Sequence, residues 1–504
     1  MLVSMKDRLT RGAFWLAATR LLVNLIGFAS TILLARLLMP EDFGLVAIAT
    51  TIAAVMGSIT ELSLSSALVQ HENPEDQHFD TAWTLNVLRA ALLAGAMVAV
   101  AHPVAGFYGD PRLTDIMFVL AATTLLGGFG NPKLVVFTRN LVFWQEFAMA
   151  ISTKLLGFVV AVAIAVIYKS YWALVIGGVA AQLLAILLSY VLLPYRPRLQ
   201  LAGGRQLFAF SVWLTLGRTV NIVNWRSDQL FIGYFLGSGP LGQYSFGDNL
   251  ASLPTREATA PIAQTLFPAF ARLTADPVRL RQAYLRAQTL LCAIALPIGC
   301  GFAMIAEPLV LLTVGAKWLP AVIVIQILAG VFAFQSLSSS LQPLAMGMGE
   351  TRALFRRDLA NLVIRMPLVI IGLATAGLIG VLVARVISGL AGMVINMVLV
   401  KRLIGVSVAG QLAANGRSLA AVGLMVAAIA ALLQSGLGNG GWPAAPALGI
   451  LIVAGTLAYI AALAMLWMLA GRPAGPESAI VEIVRTALKR VGGGSDIETV
   501  AAPP

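Results

Sequence analysis

The sequence predicts an all-α, polytopic membrane protein of about fourteen transmembrane helices, arranged as two pseudo-symmetric six-helix lobes plus two C-terminal helices. Three observations predict it. Hydrophobic residues make up 59% of the 504 positions and charged residues only 11%. A soluble domain carries about 25% charged residues, so this chain cannot clothe a water-facing surface. The hydrophobicity is spread along nearly the whole chain in runs of about 20 residues, the length that crosses a bilayer as helix. Lys and Arg gather between those runs, and on every second connection.

The first six runs begin near Ala13, Gly44, Phe79, Thr114, Phe147 and Tyr171. The next six begin near Leu207, Leu241, Tyr284, Pro320, Phe355 and Leu378, and two more near Ser418 and Ala447. The first run follows Lys6, Arg8 and Arg11 and contains Arg20 and Arg36. It is too long for a cleavable signal sequence and reads as a membrane helix whose N-terminus is cytoplasmic. The eighth run is the most polar. Between Tyr244 and Phe270 it carries Asp248, Asn249, Arg256 and Glu257, so it is expected to cross only with a polar face turned into a cavity.

With the N-terminus inside, the even connections carry Lys133 and Arg139, then Arg196, Arg198 and Arg205, then Arg272, Arg279, Arg281 and Arg286. Arg352, Arg356 and Arg357 follow, then Lys401, Arg402 and Arg417. The odd connections hold Arg36, Arg112, Lys169 and Lys317. This asymmetry places both termini in the cytoplasm. The acidic connection from His71 to Asp80 does not oppose it, because acidic residues contribute little to topology.

A shift of 198 residues lays Trp15 on Trp213, Leu16 on Leu214, Arg20 on Arg218, Leu38 on Leu236 and Gly44 on Gly242. Six helices separate the echoes, so the two halves enter the membrane in the same direction, a parallel repeat. The expected organisation is an N-terminal six-helix lobe over 1–195, a second over 196–403, two extra helices over 404–470 and a cytoplasmic tail over 471–504. Within the tail, Ile480, Ile483, Val484 and Leu488 share one face of a short amphipathic helix between Glu477 and Arg490.

Several function classes are excluded. Cys292 and Cys300 lie in one apolar run without ligand spacing, and His71, His78 and His102 show none either, so no metal or cofactor is expected. There is no phosphate-binding G-x-x-x-x-G-K-[ST] loop, and no catalytic constellation, so the chain does not read as an enzyme. The net charge of +12 serves topology rather than nucleic acid.

Charges inside spans cost roughly 2.5–3.5 kcal/mol each on insertion scales, so each needs a reason. On the seventh run Arg218, Asn221, Trp225 and Asp228 follow steps of three and four and share a face, with Asn224 and Arg226 beside it. On the first run Arg20 and Asn24 stand one turn apart. On the eighth, Asp248, Ser252, Thr255 and Thr259 form a stripe beside Arg256 and Glu257, and on the second Ser58, Glu61 and Ser65 do likewise. These faces are expected to line a cationic cavity. Arg20, Asn24, Arg218, Asn221, Trp225, Arg226 and Arg256 are the candidate substrate-binding residues, because guanidinium forks suit phosphate oxygens. Glu61, Asp228, Asp248 and Glu257 are the candidate ion-coupling residues. Arg89 and Arg365 also fall within spans. Arg36, Lys154 and Arg385, nearer span ends, read as locally ion-paired cations or as cations reaching for the interface.

The stretch Leu34-Ala-Arg-Leu-Leu-Met-Pro-Glu-Asp-Phe-Gly-Leu-Val-Ala-Ile-Ala49 resembles the N-terminal signature of the polysaccharide transporter family, the Wzx-type oligosaccharide/lipopolysaccharide flippases. Gly12-Ala-Phe-Trp15, Ala67-Leu-Val-Gln70 and Phe137-Thr-Arg139 fit it too, most densely over the first 200 residues. The resemblance implies a multidrug/oligosaccharidyl-lipid/polysaccharide exporter fold. It also implies a polyprenyl-diphosphate-linked oligosaccharide as substrate, flipped across the bacterial inner membrane for exopolysaccharide, capsule or O-antigen synthesis. The implied partners are this lipid-linked oligosaccharide, membrane lipids, and polymerase and other assembly proteins. A peptidoglycan-precursor flippase and a multidrug/cation antiporter of the same fold are the alternatives. The excess of buried arginine argues against the antiporter.

Overall fold

The computed structural model describes residues 5–60, 68, 75–140, 142–201, 204–437 and 444–472. The tail helix expected between Glu477 and Arg490 lies outside the described residues. Among these residues there is no strand. The long helices are α1 (Met5–Leu37), α2 (Pro40–Ile59), α3 (Asp76–Tyr108), α4 (Arg112–Gly128), α5 (Trp144–Tyr168), α6 (Trp172–Leu192), α7 (Gly204–Leu236) and α8 (Ser238–Leu273). They continue with α9 (Pro277–Met304), α10 (Leu319–Gln335), α11 (Thr351–Ile404), α12 (Gly416–Leu432) and α13 (Ala444–Leu469).

Ten helical stretches among the described residues are long and apolar enough to cross a membrane. About fourteen were expected from runs of about 20 residues, and the difference has local causes. α4 has only 17 residues. α7 and α8 have 33 and 36 residues but carry the ionisable groups discussed below. α11 runs 54 residues and is two helices joined at a sharp break, where Ala376 leaves helical geometry and Gly377 takes φ of +56°. Only glycine adopts that conformation without strain. Helix starts follow ordinary capping chemistry. Pro40 opens α2, where the Asp42 carboxylate accepts from the Met39 N–H at 2.9 Å. Pro277 opens α9, where Asp276 accepts from the backbone of Val278 and Arg279. α8 contains Pro254, Pro261 and Pro268, a density that membrane helices tolerate and soluble ones do not.

The chain sorts into two compact units with interleaved segments. The first comprises residues 1–250, 309–325 and 355–388. Within it α5 and α6 pack through small residues. A Cβ on Gly177 would lie 2.8 Å from the Gly157 carbonyl and 2.7 Å from the Ala161 methyl. Such close backbone approach drives helix association where lipid tails give no hydrophobic advantage. The second unit comprises residues 251–308, 326–354 and 389–504. Its core gathers Leu266, Phe270, Leu280, Tyr284, Leu341, Leu344 and Val400, and the Tyr459 hydroxyl ties α13 to α9 by donating to the Ala293 carbonyl at 2.8 Å.

One crossing in the first unit reproduces the internal echo. A Cβ on Gly44 would lie 1.7 Å from the Ser238 carbonyl oxygen, and one on Gly242 would lie 1.8 Å from the Pro40 carbonyl oxygen. The 198-residue shift carries Pro40 to Ser238 and Gly44 to Gly242. The contact is therefore reciprocal, as at a twofold interface. Beside it Trp318 packs on Phe43 and Phe246 at 5.2 and 4.3 Å. Two cations then cap helix ends reciprocally. Arg36 donates to the carbonyls of Leu312 and Thr313, and Lys317 donates to those of Arg36 and Leu38 at 2.8 and 2.6 Å. The last carbonyls of a helix lack internal partners and carry partial negative charge, so a cation there satisfies both needs.

The glycine crossing has a direct test. Gly44→Ala and Gly242→Ala each force backbone apart and are expected to cost about 1–3 kcal/mol, the usual range for overpacking. Gly95→Ala, with nothing within 4 Å of its new methyl, is expected to be neutral. The midpoint of heat-induced loss of the monodisperse detergent-solubilised protein measures all three.

Candidate functional site

The candidate site is built where α7, α8 and both arms of α11 meet inside the first unit. Asp228 on α7 is fully buried. Arg365, on the first arm of α11, grips it with two donors: Nε to Oδ1 at 3.1 Å and Nη2 to Oδ2. Arg385, on the second arm, donates from Nη1 to Oδ2 at 3.0 Å. The Tyr244 hydroxyl on α8 donates to the same Oδ2 at 2.8 Å. Arg385 also reaches Asp248 on α8, Nη2 to Oδ1 at 3.5 Å. The Trp225 ring lies under both guanidinium groups, 5.6 Å from Arg365 and 5.7 Å from Arg385, within the range of cation–π attraction.

The break in α11 explains how two arginines so far apart in sequence reach one carboxylate. At about 1.5 Å per helical residue, Arg365 stands roughly 16 Å before the break and Arg385 roughly 12 Å after it. Gly372 and Gly380 let the arms touch: a Cβ on Gly380 would lie 1.8 Å from the Gly372 carbonyl oxygen. The arms therefore fold back on each other and present both cations at one level. Within a membrane-spanning segment an unpaired ion is poorly tolerated, so the pairing is needed. Two guanidinium groups and two carboxylates leave the cluster close to neutral.

The other candidate residues fall around this cluster or away from it. Arg226, exposed on α7, donates to the Gln229 side chain at 3.1 Å, and the Thr51 hydroxyl of α2 bridges to the same oxygen at 2.6 Å. Asn221 is half-buried on α7. Arg20 is exposed and Asn24 half-buried on α1. Arg256 and Glu257 lie on the part of α8 that belongs to the second unit, where they pair with each other at 3.1 Å. Glu61 and the side chain of Arg218 lie outside the described residues. The structure thus joins Trp225, Asp228 and Asp248 in one cluster, with Arg226 on its margin.

Arg365, Arg385 and Tyr244 are the members that the helix-face reading did not include in the site. Arg385 was expected either to pair with a local acid or to reach for the membrane interface. Its side chain is only 3% exposed and doubly ion-paired, the first of those two outcomes. The signal was present in the composition of the spans. Two acids on α7 and α8 required cations, and glycines at 372, 377 and 380 marked a hairpin able to deliver two at once. Outside the spans, Asp110 shows how the same chemistry behaves near water: its hydrogen bonds with Arg112 hold its carboxyl below the usual carboxylate range, against a partial desolvation.

Known proteins match this chain along much of its length. The family described as "Polysaccharide biosynthesis protein" matches residues 33–323. The succinoglycan biosynthesis transport protein ExoT of Rhizobium meliloti is 27% identical over 350 residues, covering 69% of this chain and 70% of that one. The lipopolysaccharide biosynthesis protein WzxC of Escherichia coli is 23% identical over 414 residues, covering 80% and 83%. The teichuronic acid biosynthesis protein TuaB of Bacillus subtilis is 22% identical over 332 residues, covering 65% and 68%. Among solved structures, the lipid II flippase MurJ in an inward closed conformation has a TM-score of 0.71 at 13% identity, covering 90% of this chain and 99% of that one. An inward-facing multidrug resistance transporter of the MATE family has a TM-score of 0.56 at 14% identity, covering 76% and 95%. These structural likenesses establish a polytopic helical fold. The sequence match extends over more than half of the chain, and the chain belongs to the polysaccharide biosynthesis protein family.

Proposed function

We propose that this protein is a flippase that moves a polyprenyl-diphosphate-linked oligosaccharide across the bacterial inner membrane for surface polysaccharide synthesis. The printed roles of its relatives in succinoglycan, lipopolysaccharide and teichuronic acid biosynthesis support the substrate class. One observation of the site carries the reading further. Asp228 is held by two arginines and Asp248 faces one of them at 3.5 Å, so the cluster carries no excess negative charge to seat a cationic drug. Arg226 next to them is exposed and bonds a neutral amide. A surface with its acids neutralised and a cation in hand suits a diphosphate.

Alternating access supplies the mechanism. The reciprocal contact of Gly44 and Gly242 supports two pseudo-symmetric halves that rock about a shared axis, with both termini cytoplasmic and the substrate taken up from the inner leaflet. The substrate-binding set on the first unit is Arg20, Asn24, Arg218, Asn221, Trp225 and Arg226. The coupling role narrows to Asp248. Asp228 accepts four hydrogen bonds and is fully buried, so it has no room to exchange an ion and serves as an anchor. Asp248 keeps a quarter of its side chain exposed and holds a single 3.5 Å contact to Arg385. Glu257 is engaged by Arg256. A polymerase and other assembly proteins are the expected partners on the product side.

Deletion of the gene is expected to leave the lipid-linked repeat on the inner leaflet and to abolish surface polymer while growth continues. Intact polymer with new drug sensitivity would point to a cation exporter. Cell lysis with accumulated peptidoglycan precursor would point to a precursor flippase.

The two aspartates are expected to behave differently. Asp228→Asn strips the charge from a site holding two buried guanidinium groups and should cost about 3–5 kcal/mol, read as loss of folded protein from detergent extracts. Asp248→Asn should fold and bind substrate, but its residual flipping should no longer respond to collapse of the ion gradient. Equal stability of the two variants would remove the distinction.

A further inference from the structure

One turn from the ionic cluster lie two side-chain carbonyl oxygens that no donor among the described residues meets. Asn224 on α7 is 7% exposed, and its Oδ1 has no hydrogen-bond partner among the described residues. Asn361 on the first arm of α11 is half-buried, and its Oδ1 is equally buried and equally unpartnered among them. A buried acceptor left without a donor costs about 1–3 kcal/mol, so a pair of them in one place calls for a donor that arrives from elsewhere.

The helices place the two amides on the same side of the ionic cluster. Asp228 is bonded to Arg365, and a side chain at Gly377 would touch Leu236 at 3.8 Å. These tie points follow the same order along both helices, so α7 and the first arm of α11 run parallel. Asn224 precedes Asp228 by one turn and Asn361 precedes Arg365 by one turn, each on the face of its tie point. Each amide therefore lies one helical turn, about 5.4 Å along its own helix, before its member of the Asp228–Arg365 pair. One turn further along the same stripe of α11, Arg357 is closed off by Asp358 at 2.6 Å. The charges on either side are paired, and the two amide oxygens between them are the open acceptors among the described residues.

The surroundings decide what it takes. The ionic cluster is close to neutral, the Arg357–Asp358 pair is neutral, and Arg226 adds a positive charge nearby. Nothing there concentrates negative charge for a metal ion, and two neutral carbonyl oxygens accept best from neutral hydroxyl groups. Trp225, adjacent to Asn224 and 42% exposed, adds an apolar ring face beside the amides.

We propose that Asn224 and Asn361 form a subsite for the sugar of the transported lipid, accepting hydrogen bonds from its hydroxyl groups while cations nearby hold the diphosphate. This rests on the flippase reading and adds to it the residues that distinguish a sugar-bearing lipid from the bare carrier. A site built to bond hydroxyls disfavours the analogue without them, because its acceptors are then left unpaired.

Two probes test it on the purified full-length protein: the lipid-linked repeat extracted from the deletion strain, and bare polyprenyl diphosphate. Affinity is read from ligand-induced thermal stabilisation. Wild type is expected to bind the repeat at least about tenfold more tightly than the bare lipid, the difference one or two buried hydrogen bonds can supply. Asn224→Leu combined with Asn361→Leu should erase that preference, leave the bare lipid bound as before, and leave the unliganded protein as stable as wild type or more so. If the leucines do not fold, alanines at both positions give the same readout. Discrimination preserved in the double variant overturns the subsite, as does equal weakening for both lipids. Loss of a sodium-dependent stabilisation with glycan preference intact assigns the amides to a cation and overturns it as well. Wild type that binds neither lipid overturns the flippase reading itself.

Discussion

Asp228, held by Arg365 and Arg385 at membrane depth, is the constraint on which the rest of the first unit depends. An ion there is tolerable only when paired and fully hydrogen-bonded. Meeting that condition requires α7 to face α8, so that Tyr244 can donate, and requires α11 to break, so that two arginines arrive at one level. The glycines at 372, 377 and 380 make sense as servants of that geometry. The cluster need not add net stability, since buried ion pairs often do no better than a packed apolar equivalent. Its effect is on arrangement: with one carboxylate shared between two helix arms, few alternative registers satisfy every charge.

The same arrangement sorts the polar residues by task. Groups that are saturated, such as Asp228 and Tyr244, have no bonding capacity to offer a substrate. Groups at the edge, such as Arg226, Asp248 and the two amides at 224 and 361, retain it. A transporter needs both kinds: a fixed frame that does not change with cargo, and a few groups whose bonding is completed only when cargo is present. Differential bonding of this sort is also what allows a ligand to shift a conformational equilibrium.

Much of the fold was legible because a bilayer leaves few options. Long apolar runs must be helices, and the alternation of Lys and Arg between them is repeated many times over. The Gly44–Gly242 echo was visible as a spacing, yet only the structure shows that the two glycines meet. The site was less legible. Face periodicity found Trp225 and Asp228 on one stripe and Asp248 on another, because both lie on continuous helices. It gave no weight to pairing across helices far apart in sequence, so Arg385 was assigned by its distance from a span end. A break inside α11 moved it to the centre. Asn361 was passed over for the same reason: its importance comes from lying one turn before Arg365, whose bond to Asp228 ties its helix to that of Asn224, rather than from any local pattern.

The central claim concerns transbilayer movement, and the most direct measurement follows it in a purified system. The protein is reconstituted into liposomes carrying the lipid-linked oligosaccharide in both leaflets, and a glycosidase that cannot cross the bilayer is added outside. A flippase makes the inner-leaflet pool accessible, so digestion proceeds to completion on the timescale of transport. Digestion that stops at the outer-leaflet pool, as in protein-free liposomes, with folded protein and any required ion gradient present, would contradict the assignment.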